Sequence, residues 1–173
     1  MKHLYFCRHG LSEMNKLGLW AGQTETPLAE EGKLQAKLAG EKANELAIDK
    51  IISSPYERAH DTAKIIADAI GYPLDHIELN SLFIERHFGA LEGTPWQPDL
   101  NLDGFADIET FDTLFERCKL GFEFLLALPQ DNVLLVSHGS TGRMLRHVIH
   151  PDIPFERTEL SKGFGNAEIV QLL

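Results

Sequence analysis

LYFCRHGLS, residues 4–12, decides how the chain begins to fold. Leu4 to Cys7 form the unbroken apolar run of a strand buried on both faces, rather than the alternation of a half-exposed one. The run stops at Arg8 and His9, a guanidinium and an imidazole side by side, and Gly10 follows, where backbone can approach closely. The pattern returns in VLLVSHG, residues 133–139, a second apolar strand that ends in His138 and Gly139 and leads into a helical pattern. In SSPYERAHDTA, residues 53–63, a strand ends at Ser53 and Ser54, and Arg58 falls in the first turn of the next helix. Ligands of open α/β sheets gather beyond the carboxyl ends of the strands, where helix N-termini offer N–H groups to an anion. His9 and His138 are therefore expected to face each other across one cleft.

The remaining pattern alternates strand and helix. Residues 3–8, 49–54, 132–139 and 167–173 read as strands. Ala36, Ala39, Ala43 and Leu46 recur at helical spacing and predict a helix over about 30–46. A second helix over about 56–70 buries Ala59, Ala63, Ile66, Ala67 and Ile70, with Gly71 as its stop. A third, over about 109–127, carries Phe111, Leu114, Phe115, Cys118, Phe122, Leu125 and Leu126 on one stripe, and a fourth runs from the second His–Gly to about His150. Residues 18–27 and 72–108 read as loop and irregular chain. The expected fold is α/β: a three-layer α/β/α sandwich with a mainly parallel, mixed central sheet, in one domain spanning residues 1–173.

Composition narrows the function. The 173 residues are 43% hydrophobic and 24% charged, as in an ordinary globular chain, and carry a formal charge of −10. That balance argues against broad nucleic-acid binding and against adhesion to an anionic membrane, both of which need a basic face. No stretch reaches the roughly 20 apolar residues of a membrane span, and no secretory leader is legible, so the reading is cytoplasmic. Cys7 and Cys118 read as buried reduced thiols. An anion site in this chain must be built locally, and convergent Arg8, Arg58, His9 and His138 suit a phosphate better than a carboxylate, because a dianion uses more than one donor fork.

Five ordered segments resemble the histidine phosphatase superfamily, the phosphoglycerate mutase-like proteins. They are RHGLSEMN (8–15), GQTETPLAEEGKLQA (22–36), SSPYERAHDTA (53–63), ERHFGALEG (85–93) and VSHG (136–139), and the resemblance extends over nearly the whole chain. The resemblance implies that His9 is the nucleophile that becomes phosphorylated. Arg8 and Arg58 would clamp the transferring group, His138 would complete the pocket, and Asn15 would contact a phosphate oxygen. Gly10 and Gly139 would bring backbone to the phosphate. Glu85 stands where the family keeps its proton donor, with His87 beside it as the other group that could serve, and Glu92 would be structural. The chemistry agrees. Preorganised arginines supply most of the stabilisation of a phosphoryl group in flight. A neutral imidazole attacks, and a general acid adds on the order of 10²–10⁴ in rate. No metal or other cofactor is required.

Other features carry less. His3, His60, His76, His87, His147 and His150 show no metal-ligand spacing. Cys7 precedes Arg8 by one strand residue and is expected to point into the core. The phosphate-binding lysine loop of nucleotide triphosphatases is absent from the sequence. The segment over about 94–117 is short for a substrate lid and carries Asp99, Asp103, Asp107, Glu109, Asp112 and Glu116 against only Arg117. An acidic, abbreviated lid is poor equipment for retaining an acidic substrate and leaves a phosphoenzyme open to water. The sequence therefore favours a phosphatase acting on a small phosphorylated metabolite. Phosphoglycerate mutase is the alternative enzyme, and a non-catalytic phospho-ligand module is the alternative from another class. The sequence does not give the oligomeric state.

Overall fold

The opening apolar run forms β1 (His3–Arg8), and the same logic produces the other central strands. In chain order there follow α1 (Glu13–Lys16), α2 (Glu30–Ala43), β2 (Lys50–Ser53), α3 (Glu57–Ala69), β3 (Glu78–Leu79), α4 (Phe111–Leu126), β4 (Asn132–Ser137), α5 (Gly139–Ile149) and β5 (Ile169–Gln171). The structure, a computed structural model, describes residues 1–97, 100–102, 104–156 and 162–173. Its five strands lie in the order β3-β2-β4-β1-β5. All neighbours run parallel except β5, which is antiparallel to β1 at one edge.

Alternate strand residues serve opposite layers, as the two-residue period of a strand requires. Cys7, Ile51, Leu134 and Val136 pack with Ala39 and Ala43 of α2 and with Ala59, Ala63, Ile66 and Ala67 of α3. Leu4, Phe6, Ile52, Val133 and Leu135 pack on the other face with Leu125 of α4 and Leu145 of α5. The expected three-layer α/β/α sandwich is the architecture observed. Among the described residues no helix is long and apolar enough to cross a membrane.

Register then aligns the chemistry. Arg8 pairs with Ser137 and Ser53 with Val136, so β1, β4 and β2 stop in one row. The ladder continues one step further, with His9 N–H donating to Ser137 O (2.9 Å) and Ser54 N–H to Val136 O (3.0 Å). The two histidines and Ser54 thus leave the sheet together at its carboxyl edge.

Several elements differ from the sequence expectation. The helix expected to reach residue 46 ends at Ala43, and a 3₁₀ turn over Asn44–Leu46 leads to Ala47 in the left-handed region (φ 47°). Phe111 and Leu126, expected on the buried stripe of α4, lie at its ends and are 40% and 50% exposed. α1 and β3 were not expected, since four and two residues are too few to show a period. α1 owes its start to Ser12, whose side chain accepts from Asn15 N–H.

Candidate active site

His9 follows β1 and is 3% exposed. Its Nδ1 lies 2.7 Å from the Gly10 carbonyl oxygen, which can only accept, so Nδ1 carries the proton and Nε2 keeps its lone pair. The His138 ring stands 5.2 Å away, centroid to centroid, at 61°. His138 is fully buried, and its Nε2 lies 2.7 Å from Ser54 Oγ. Its buried Nδ1 has no hydrogen-bond partner among the described residues.

Burial pushes both imidazoles well below the ordinary histidine pKa, with Arg58 the next cause for each. Arg8 adds to the shift in both, and each stays neutral where a surface histidine would charge. This couples stability to pH. The unfolded chain protonates these histidines near pH 6.5, whereas the folded chain does so only at lower pH, so the unfolded state binds more protons below that value. Stability is thus expected to fall as pH drops through 6.5, by up to about 1.4 kcal/mol per pH unit for each histidine. Urea denaturation at pH 7.5, 6.5 and 5.5 checks it. His138→Gln should have the shallower slope, and parallel slopes would mean that the imidazole is not held neutral.

The deepest cation has a simple origin. Arg58 is fully buried in the first turn of α3, where the loop before α2 wraps it. Its Nη1 donates to Thr24 O (2.9 Å) and its Nη2 to Gly22 O (2.6 Å), while its buried Nε has no partner among the described residues. Gly22 has φ +48°, and a Cβ there would run into the Glu92 carboxylate. Glu92 fixes the loop by accepting from Gln23 N–H (2.9 Å), Phe88 N–H (3.0 Å) and the Thr24 hydroxyl (2.7 Å). It is a structural residue, and what it structures is the cradle of Arg58. Arg8, half-buried, donates from Nη1 to Phe164 O (3.1 Å).

Glu85 sits on the first turn of α5. Its Oε1 accepts from Arg86 N–H (2.9 Å), Ser140 N–H (3.1 Å) and Thr141 N–H (3.1 Å), and its Oε2 from Ser140 N–H (3.2 Å). The segment carrying it is clamped from behind. Arg117 donates to Leu82 O (2.8 Å) and Ile84 O (2.9 Å) and grips Glu109 with two further bonds of 2.9 Å. The Glu109 carbonyl in turn accepts from Arg86 Nε (2.7 Å).

This arrangement corrects the reading of 94–117 as an acidic lid. Asp99 and Asp103 lie outside the described residues. Asp107 accepts from Ala90 N–H (2.8 Å), and Glu109 is consumed by Arg117. What the segment gives the cavity is apolar: Trp96, Leu100 and Leu102. Counting charges could not reveal which of them point inward.

Arg8, His9, Asn15, Arg58, Glu85 and Gly139 line one cavity of about 430 Å³. Asn15 reaches it from α1, and its buried Oδ1 has no partner among the described residues. His138 stands behind His9 rather than in the wall. Gly10, expected at the phosphate, turns away: its N–H donates to Thr62 Oγ1 (3.0 Å), and a Cβ there would strike the Gly32 carbonyl. Its place is close helix packing and the carbonyl that orders His9. His87 is also outside the lining, with Nδ1 donating to Asp107 O (2.8 Å), so of the two only Glu85 lines the cavity.

Sequence reasoning missed Trp20, Phe88, Arg86 and Arg143, which also line the cavity. Arg143 had a legible signal, four residues after Gly139 and so on the same helix face. Trp20 had none, because its position depends on pairing with a distant loop: its N–H donates to Thr94 O (2.9 Å). Among the described residues no group of His, Cys, Asp and Glu is arranged to hold a metal ion.

Comparison with known proteins fits this geometry. The family model of the histidine phosphatase superfamily, branch 1, matches residues 4–173. An uncharacterized phosphatase of Bacillus subtilis, PhoE, is 34% identical over 140 residues, covering 77% of this chain and 69% of its own. A probable phosphoglycerate mutase of Escherichia coli, GpmB, is 36% identical over 151 residues, covering 80% and 70%. A mycobacterial glucosyl-3-phosphoglycerate phosphatase solved with VO3 superposes with a TM-score of 0.80 at 23% identity, covering 99% of this chain and 90% of that one. A phosphoserine phosphatase mutant of Entamoeba histolytica, solved with phosphoserine, gives 0.79 at 23% identity, covering 99% and 89%.

Proposed function

The chain belongs to the histidine phosphatase superfamily, and on that premise we propose that it hydrolyses phosphate monoesters through a phosphohistidine on His9. The observation that carries this reading is the tautomer of His9. Its Nδ1–H is held by the Gly10 carbonyl, leaving Nε2 as a neutral nucleophile in a cavity that also contains Arg8 and Arg58.

In the first step the Nε2 lone pair forms a bond to phosphorus as the ester P–O bond breaks. Charge on the phosphoryl oxygens is met by Arg8, Arg58 and Asn15. The neutral His138 ring, 5.2 Å from the His9 ring and tied through Nε2 to Ser54 Oγ, backs the nucleophile from behind the cavity wall. The departing alkoxide takes a proton from Glu85. In the second step Glu85 takes a proton from water, the water oxygen attacks phosphorus, and the P–N bond breaks, returning the lone pair to Nε2 and releasing inorganic phosphate. Gly139, in the cavity wall, allows the phosphate to approach the helix N-terminus.

A second reading has its own support. Arg86 and Arg143 line the same cavity, and a relative 36% identical is named a probable phosphoglycerate mutase. Two more guanidiniums would suit a substrate with a second anionic group. Incubation with 3-phosphoglycerate, without added metal, separates the readings. Hydrolysis predicts inorganic phosphate as the main product, whereas formation of 2-phosphoglycerate faster than phosphate release would assign the chain to the mutases. A cytoplasmic setting belongs to the same proposal, supported by Cys7 and Cys118 as buried free thiols. The charge of −10 likewise supports a small-molecule substrate over nucleic acid or membrane.

A further inference from the structure

The cavity is larger than a phosphate needs. At about 430 Å³ it falls within the range of sites that enclose a whole small molecule. Part of its wall is made by Leu19, Trp20, Phe88, Trp96, Leu100 and Leu102, with the Arg86 guanidinium 5.8 Å from the Phe88 ring centroid. The Trp20 ring lies 4.6 Å from Phe88 and 6.3 Å from Trp96, centroid to centroid, at 48° and 54°.

This wall is built rather than incidental. Trp20 N–H donates to Thr94 O (2.9 Å), Gly93 N–H to Trp20 O (2.8 Å) and Trp96 N–H to Gly18 O (2.7 Å), tying the two loops together before any ligand arrives. Leu91 and Ile108 pack beneath Phe88.

We propose that this wall is the leaving-group subsite, and that it takes a flat, largely apolar ring carried on the alcohol half of the phosphate monoester. A polyol placed there would bury hydroxyls against tryptophan, phenylalanine and leucine faces that cannot pair with them. A ring would stack and displace water from the same faces. The subsite rests on the phosphatase reading, since it is the phosphate held by Arg8 and Arg58 that points the alcohol half toward Trp20.

The test compares two alkyl phosphates that need equal help with the leaving proton, 2-(quinolin-6-yl)ethyl phosphate and glycerol 3-phosphate. The wild type should favour the quinoline ester by on the order of 10–100-fold in kcat/KM. Trp20→Phe keeps an aromatic face and should hold that ratio within about 3-fold; Trp20→Ala should lower it about 10-fold or more. Trp96, already 41% exposed, can be truncated with little effect on the fold, and Trp96→Ala should also lower the ratio. Direct binding of the quinoline ester to His9→Ala protein, by calorimetry, reads the subsite without turnover. Equal or reversed preference in the wild type, or ratios unchanged in both Trp20→Ala and Trp96→Ala, overturns the subsite while hydrolysis stands. If the ester binds His9→Ala protein and Trp20→Ala abolishes that binding, yet wild type releases no phosphate, the phosphatase reading fails and the subsite survives. Absence of both binding and release overturns both.

Discussion

His9→Ala should lower kcat/KM for p-nitrophenyl phosphate by on the order of 10⁴-fold or more, the scale on which removing an enzyme's nucleophile removes covalent catalysis. A good leaving group cannot compensate, because what is lost is the atom that forms the new bond to phosphorus. Arg8 and Arg58 do not depend on the His9 ring for their anchors, so the variant should still bind inorganic phosphate. Its fold should survive too, since the change removes a buried imidazole and leaves the His9 backbone bond to Ser137 in place. Steady-state rates on the purified variant, with a thermal melt to confirm folding, check the prediction. Activity within about 10-fold of wild type would take His9 out of the mechanism.

Glu85→Gln should separate two classes of substrate. An alkyl phosphate leaves as a strongly basic alkoxide and needs the proton, so its rate should fall by about 10²–10⁴-fold. p-Nitrophenolate leaves unaided, so that substrate should lose less than about 10-fold. The contrast is clean because Gln retains an oxygen that can accept from Ser140 and Thr141 N–H, which keeps the turn at the start of α5 in place. Only the transferable proton is gone. Equal losses on both substrates would mean that Glu85 serves to hold the helix N-terminus and the phosphate beside it, and the acid would have to be bound water.

The central layer and the row of His9, Ser54 and His138 at its edge are legible because they depend on local pattern. Leu4 to Cys7 and Val133 to Val136 are continuous apolar runs, and a run followed by Arg-His-Gly or Ser-His-Gly marks a strand end whatever surrounds it. Parallel register then brings His9 and His138 together, since equal strand ends in one sheet must share an edge. The antiparallel direction of β5 was not legible, because it is set by the connection after α5 and leaves no mark in the strand's own residues.

The parts of the site that stayed hidden are those made by distant pairs. Arg117 read as a lone cation in an acidic stretch, yet it holds Leu82, Ile84 and Glu109 together behind Glu85. Glu92 was readable as structural, but the Gln23 and Thr24 groups that it orders, and through them the cradle of Arg58, were not. Gly10 shows the opposite error. A glycine beside a catalytic residue suggests ligand approach, whereas here the close neighbour is the Gly32 backbone. Composition counted the acids of the 94–117 segment, but only packing shows that Asp107 and Glu109 face structural partners while Trp96, Leu100 and Leu102 face the cavity.

The claim on which the rest depends is the covalent one, and trapping tests it most directly. Wild-type protein mixed with substrate and quenched in alkali within milliseconds should carry one phosphate. Peptide mapping should place it on His9 and ³¹P spectroscopy on Nε2, stable to base and lost in acid. The His9→Ala protein should give none. A phosphate found on any other residue, or rapid turnover in the wild type with no trapped phosphohistidine, would contradict the account.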